Sequence, residues 1–297
     1  MKPHRPDNAA EPGRIHTAKC NENVRSRKRG ICMNEMSEAD FKALARISWC
    51  YNWDCRPHEN GETAGLQFIP MIWGSHPSAL RGLDRYLATA SPKPPVVFAI
   101  NEPNMRGQAF LTPWHTADLY RKVKSVTDQY QIPLVGPHMA LGSAPGDSIT
   151  SHDPLENKTT TYTFMVPFPH AVLFYLERWG ITPPALGIHS YGGFGELKWA
   201  VELVHTTFGC PVWVTEFALW DTPNSEDARK YMIEATEFLE RTPHVAGYAW
   251  FKDRVQDNPN ISPLEPESGK LSPLGETYVS LCVGGNTHSD PAPPASA

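Results

Sequence analysis

The sequence contains no apolar run of the roughly eighteen residues that a membrane-spanning helix needs, so no membrane span is expected. It has no excess of positive charge either. Lys and Arg total 27 against 32 Asp and Glu, a net charge of −5, which argues against nucleic acid or an anionic lipid surface as partner. Several catalytic signatures are missing. There is no P-loop and no H-E-x-x-H, "GGFGELKWA" lacks the third glycine of a dinucleotide fingerprint, and "GIHSYG" does not space Ser190 as a nucleophile elbow. The twelve histidines are scattered, so neither a metal nor an organic cofactor is expected. The six cysteines form no C-x-x-C pair, and their spacing does not select a disulfide pattern. Residues 1–30 lack the apolar core of a signal peptide, and the short basic run "NVRSRKRG" (23–30) reads as a solvated arm.

The chain is long for an average domain, but its 297 residues suit a single (β/α)8 barrel, which takes about 250. Near-continuous apolar runs lie at 46–53, 66–74, 95–101, 132–139, 185–192, 211–217 and 245–251, as expected of parallel strands buried on both faces. Helix-like segments alternate with most of them. Ser37 and Asp40 open a short helix with a capping-box pattern. Thr112 and Pro113 begin a second, over 112–130. Others are expected at 171–180, 195–209, 226–241 and 273–282. The fold class is therefore α/β, a single-domain (β/α)8 TIM barrel, with a doubly wound open sheet as the rival. Residues 1–36 are expected to be a disordered arm, 37–283 the catalytic domain and 284–297 a disordered tail. Residues 140–163 lack periodicity, follow a strand, and read as a long loop over the active face.

In such barrels the C-terminal ends of the strands carry the chemistry. "VVFAIN" ends on Glu102 and "PVWVT" ends on Glu216. Two carboxylates so placed can form the pair that glycoside hydrolysis requires, one protonated to serve the leaving oxygen and one ionised to attack or to activate water. Asn101 stands where an amide can hold a sugar 2-hydroxyl, and Pro103 fixes the turn beside Glu102. The nine tryptophans are many, and several strands end on aromatic or imidazole rings: Tyr51 and Trp53, Trp73, His189 and Tyr191, Trp250 and Phe251, with Trp220 just past Glu216. Aromatic faces stack on pyranose rings, so this ring of residues suggests a carbohydrate cleft.

The ordered motifs "WCYNW", "FIPMIWG", "FAINEPN", "IHSYGGF", "VWVTEFA" and "YAWF" resemble those of glycoside hydrolase family 128, the Asl1-like glycosyl hydrolase catalytic domain. The resemblance covers residues 46–282. It implies a retaining (β/α)8 glycosidase acting on β-1,3-glucan, working without a cofactor and as a monomer. Glu102 becomes the acid/base at the end of strand four and Glu216 the nucleophile on strand seven. Asn101 becomes the partner of the 2-hydroxyl, Tyr191 a hydrogen-bond donor to Glu216, and Trp250 the floor of the subsite where cleavage occurs. Members of the family include endo-acting, exo-acting and glucan-binding forms, and a β-mannanase or β-1,4-glucanase of the same clan would use the same two glutamates. The substrate favours an extracellular or cell-wall location. Only two strand candidates precede residue 95, so one early strand must be short or irregular.

Overall fold

The computed structural model describes residues 25–34, 36–58 and 65–281. The strands in chain order are β1 (Arg29–Cys32), β2 (Trp49–Tyr51), β3 (Gln67–Phe68), β4 (Met71–Ile72), β5 (Val97–Ala99), β6 (Leu134–Val135), β7 (His138–Ala140), β8 (Ile149–Asp153), β9 (Lys158–Tyr162), β10 (Leu186–Ser190), β11 (Val212–Phe217) and β12 (Val245–Trp250). The helices are α1 (Glu38–Ala43), α2 (Ala79–Thr89), α3 (Pro113–Thr127), α4 (Pro167–Arg178), α5 (Phe194–Phe208), α6 (Ser225–Arg241) and α7 (Pro273–Ser280).

All strands but the β8–β9 pair run parallel. Their ladders form a seven-stranded sheet, β3-β2-β1-β12-β11-β10-β7, and a three-stranded sheet, β4-β5-β6. The two sheets meet where a proline removes a backbone donor: at Pro70 between β3 and β4, and at Pro137 between β6 and β7. Hydrogen bonds from His138 N to Ile100 O (3.0 Å) and from Glu102 N to His138 O (2.8 Å) carry the pairing across the second break. If 67–72 and 134–140 are each counted as one interrupted strand, eight parallel positions follow one another and β12 pairs with β1. This is the (β/α)8 barrel, and it puts β5 fourth and β11 seventh.

Small and large residues interlock inside the barrel. Trp49, Tyr51, Phe98 and Trp213 fill it, with Cys32, Ile69, Met71 and Val135 around them. Gly30, Gly187 and Gly247 make the room. An added Cβ at these positions would lie 2.3 Å from the Trp49 ring, 2.0 Å from His138 Nδ1 and 2.3 Å from the Trp213 ring. Each fully buried aromatic contributes about 2–3 kcal/mol. The outer faces of the strands pack on helices whose ends are capped as their sequences dictate. Thr112 accepts from His115 N, Asn224 from Asp227 N and Ser272 from Gly275 N.

Three sequence expectations change. The barrel begins at Arg29, inside the expected arm and before residue 37, and the missing early strand is β1. Its signal was hidden by charge: Arg29 is buried, donating to the Tyr278 and Leu281 carbonyls at 2.9 and 3.0 Å and to Glu240 at 3.4 Å. The adjacent Lys28 ammonium caps the C-terminal end of α6 through the carbonyls of Leu239, Glu240 and Thr242, so this end of the basic run is structural. The aperiodic segment 140–163 contains the β8–β9 hairpin, and α2 was not anticipated. The described residues after β2 hold no helix before β3. Cys32, Cys50, Cys55 and Cys210 are free thiols. Residues 1–24 and 35 of the expected arm and the expected tail lie outside the described residues, as do Cys20 and Cys282.

The segment after β12 is tied down by α1. Arg254 Nη2 meets Asp40 Oδ1 at 2.8 Å, and Gly269 N donates to the same oxygen at 2.7 Å. Burial alone would raise the Asp40 carboxyl, but Arg254, Gly269 N and Ser37 outweigh it and hold the carboxyl at about 2. A depressed carboxyl stabilises the fold above its ordinary pKa of 3.8 and loses that contribution as pH falls toward 2. Asp40→Asn should therefore cost on the order of 2 kcal/mol in urea unfolding at pH 7. The difference from wild type should close as the titration is taken below pH ~4, and a gap that persists at the lowest pH would contradict the assignment.

Candidate active site

Glu102 and Glu216 come from opposite sides of the barrel and meet through one imidazole. His189, on β10, places Nδ1 2.8 Å from Glu102 Oε1 and 3.4 Å from Glu216 Oε2. The donor atoms of these three residues all lie within 4.8 Å of one another, and all three side chains are buried. The backbone at the end of β5 is bent to achieve this. Ile100 has φ 71° and Glu102 has φ 42°. A β-branched residue with positive φ is a rare, strained conformation of the kind found at functional sites.

Glu216 is surrounded by donors. Trp53 Nε1–H donates to Oε1 at 2.7 Å, the Tyr51 hydroxyl donates to Oε1 at 3.1 Å, and the Tyr191 hydroxyl donates to Oε2. Burial, together with the nearby Cys32 and Glu216, pushes the Tyr51 phenol well above its ordinary range. Burial and the Glu216 charge do the same for Tyr191. Both hydroxyls thus remain donors, and a carboxylate accepting from three donors is held as an oriented acceptor. His189 is also raised. Burial pushes it down, but the charge of Glu216 and the hydrogen bond and charge of Glu102 outweigh that cost.

Asn101 is buried beside Glu102. Its Nδ2 donates to Gln108 Oε1 at 3.1 Å, while its Oδ1 has no partner. An unpaired buried acceptor costs about 1–3 kcal/mol. Trp53, Tyr191, Trp220 and Phe251 form one aromatic wall. Phe251 lies 5.8, 5.2 and 6.3 Å from Trp53, Tyr191 and Trp220, centroid to centroid. Trp220 is 37% exposed. A cavity of ≈ 1240 Å³ is lined by Trp220, Phe251, Asn52, Asp253 and Asn260, and by neither glutamate. Trp73 stands apart, at the end of β4 on the Glu102 side, its carbonyl accepting from Asn101 N.

Three expected sugar contacts have other surroundings. Trp250 is fully buried. Its indole donates to Ile261 O, and its ring packs on Phe217, Tyr231 and Tyr278, so it belongs to the layer between sheet and helices. Side chains alternate along a strand, and the next residue, Phe251, takes the inward place. Tyr51 is also fully buried and serves Glu216 through its hydroxyl; it has no face to stack on a sugar. His189, 1% exposed, likewise holds the glutamates together and offers no open face. The sequence reading missed Thr215, His138 and Gln108. Thr215 precedes Glu216 directly, and its hydroxyl lies 3.1 Å from His189 Nε2 and 2.8 Å from His138 Nδ1. The only local signal was a polar residue inside an otherwise apolar strand.

Residues 30–278 match the family described as glycosyl hydrolase catalytic core. Among solved structures, the chain is similar to a subgroup II endo-β-1,3-glucanase of glycoside hydrolase family 128 from Pseudomonas viridiflava. The TM-score is 0.71 at 32% identity, over 87% of this chain and 99% of that one. A subgroup II endo-β-1,3-glucanase of the same family from Sorangium cellulosum gives 0.69 at 28% identity, over 85% and 98%. Alkali-sensitive linkage protein 1 of Schizosaccharomyces pombe is 31% identical over 104 residues, a match spanning 32% of this chain and 19% of that protein. Matched over nearly the whole barrel, the chain belongs to the glycosyl hydrolase catalytic core family and, within it, to glycoside hydrolase family 128.

Proposed function

We propose that this protein is a retaining endo-β-1,3-glucanase that cleaves laminarin-type glucan by double displacement. The observation that carries the reading is the proximity of Glu102 and Glu216, whose closest oxygens and the His189 nitrogen fall within 4.8 Å of one another. Retaining pairs lie about 5–5.5 Å apart and inverting pairs about 6.5–9.5 Å apart. The similarity to endo-β-1,3-glucanases of subgroup II supports the bond type.

In this reading Glu216 attacks the anomeric carbon while the bond from that carbon to the glycosidic oxygen breaks. Glu102 delivers a proton to the departing oxygen. Water then adds to the glycosyl ester, gives a proton to Glu102 and releases Glu216. Tyr51, Trp53 and Tyr191 hold the attacking carboxylate in one orientation. The unpaired Asn101 Oδ1 takes the 2-hydroxyl of the sugar being cleaved. Trp53, Tyr191, Phe251 and Trp220 supply the apolar wall, and the similarity to endo-acting enzymes of subgroup II supports endo action.

Product analysis on laminarin and laminarioligosaccharides tests the reading. Wild type should release short β-1,3-linked oligosaccharides of several lengths. Glu216→Gln should abolish turnover yet keep binding, and Glu102→Gln should lose roughly 10²–10⁴-fold. Glucose alone would indicate an exo enzyme, cleavage of mannan or β-1,4-glucan in preference would change the bond, and binding without cleavage would make the protein a glucan binder. Trp220→Ala removes a partly exposed ring and no hydrogen-bond partner of the glutamates. It should raise KM about tenfold, equivalent to ~1.4 kcal/mol, with kcat nearly unchanged; a fall in kcat at constant KM would place Trp220 outside the cleft.

A further inference from the structure

A chain of hydrogen bonds runs under the two glutamates, and its proton direction is set at the far end. His138 Nε2 lies 3.2 Å from the Val135 carbonyl, which can only accept, so that nitrogen carries a proton. Burial, reinforced by the neighbouring His189, pushes His138 down to about 3, so its ring is neutral and its Nδ1 is bare. The bare Nδ1 accepts from the Thr215 hydroxyl at 2.8 Å. Having used its one proton, that hydroxyl must accept from His189 Nε2–H at 3.1 Å. The remaining nitrogen of His189, Nδ1, faces Glu102 and Glu216.

We propose that Thr215 and His138 are positioning residues that lock His189 in its Nε2–H form, so that His189 Nδ1 and Glu102 must hold one proton between them. The proposal rests on the reading of Glu102 as the acid/base. If that shared proton left, a bare Nδ1 lone pair would face a carboxylate 2.8 Å away, which is repulsive. The proton is therefore retained until it is needed. In the cleavage step it goes to the glycosidic oxygen as the bond to the anomeric carbon breaks. At the same moment Glu216 loses its charge by forming the ester, so the pull that kept the proton on the pair weakens. In the second step the repulsion makes the pair a strong acceptor for the proton of the incoming water.

The groups facing His189 fit this account. Glu102 comes from the end of β5, Glu216 and Thr215 from β11 and His138 from β7, while Tyr51 from β2, Cys32 from β1 and Tyr191 lie about Glu216. Tyr51, Tyr191 and the buried Cys32 thiol are all pushed upward and stay neutral. Lys252 lies over the Trp53 ring, 5.9 Å from its centroid.

Thr215→Val keeps the shape and deletes the link. His189 can then adopt the Nδ1–H form, donating to an ionised Glu102 with a bare Nε2 against methyl groups, and the pair can shed a proton at lower pH. The alkaline limb of the kcat/KM profile should move down by about one pH unit, and Thr215→Ser should restore it. A Thr215→Val enzyme slowed equally at all pH values would mean a merely structural role and overturn the proposal. Histidine ¹⁵N NMR of the wild-type protein gives an answer independent of activity and of whether Thr215→Val folds. Protonated Nε2 on both His138 and His189, with a bare Nδ1 on His138, is the expected pattern, and a bare Nε2 on His189 would overturn it. Should Glu102→Gln prove fully active while the ¹⁵N pattern holds, the functional reading would fail and the hydrogen-bond direction would stand.

Discussion

Everything at the top of this barrel depends on keeping two carboxylates a few ångströms apart in a place with little water. Like charges so close destabilise one another unless something positive or a proton lies between them. His189 is that element: its Nδ1 is within 3.4 Å of both glutamates and its ring is buried. The strand order follows from the same constraint. The fourth and seventh strands must deliver Glu102 and Glu216 toward each other, and the sixth must deliver the imidazole between them. A closed parallel barrel does this because neighbouring strand ends converge on one face.

The two glutamates receive different surroundings, and the difference is structural before it is chemical. Glu216 sits on the regular strand β11 and accepts from Trp53, Tyr51 and Tyr191. Glu102 lies past the end of β5 on strained backbone, with His189 as its side-chain partner and the unpaired Asn101 oxygen next to it. Under the proposed function, the donors around Glu216 suit an attacking group and the imidazole beside Glu102 suits an acid/base. The interior of the barrel pays for nothing directly in this chemistry, but its glycine and tryptophan packing fixes where His138 and Thr215 can stand. Gly187 has no side chain because His138 fills that space.

Much of this was legible in the sequence. Seven apolar runs fell on barrel strands, and the terminal glutamates of two of them proved to be neighbours across the barrel. What could be read was local: a run of apolar residues, a cap, a polar residue at a strand end. What could not be read required knowledge of which way a side chain points or what it meets. β1 was hidden because Arg29 is buried by partners 200 and more residues away in the chain. Trp250 and Phe251 are adjacent and both aromatic, and only the strand's alternation decides that the second, not the first, faces the site. Tyr51 was expected to meet substrate and instead meets Glu216, since a phenol inside a barrel needs an acceptor. Thr215 and His138 carried only the faint signal of a polar residue in an apolar strand, because their meaning lies in a hydrogen-bond direction set by the Val135 carbonyl.

The central claim is that the close carboxylate pair works by double displacement. The most direct test is ¹H NMR of the anomeric signals during the first minutes of hydrolysis of a laminarioligosaccharide, before mutarotation mixes the products. A β-anomer appearing first, with the α-anomer growing in later, is the predicted result. An α-anomer formed first would mean inversion, and would contradict the assignment of Glu216 as the group that attacks carbon.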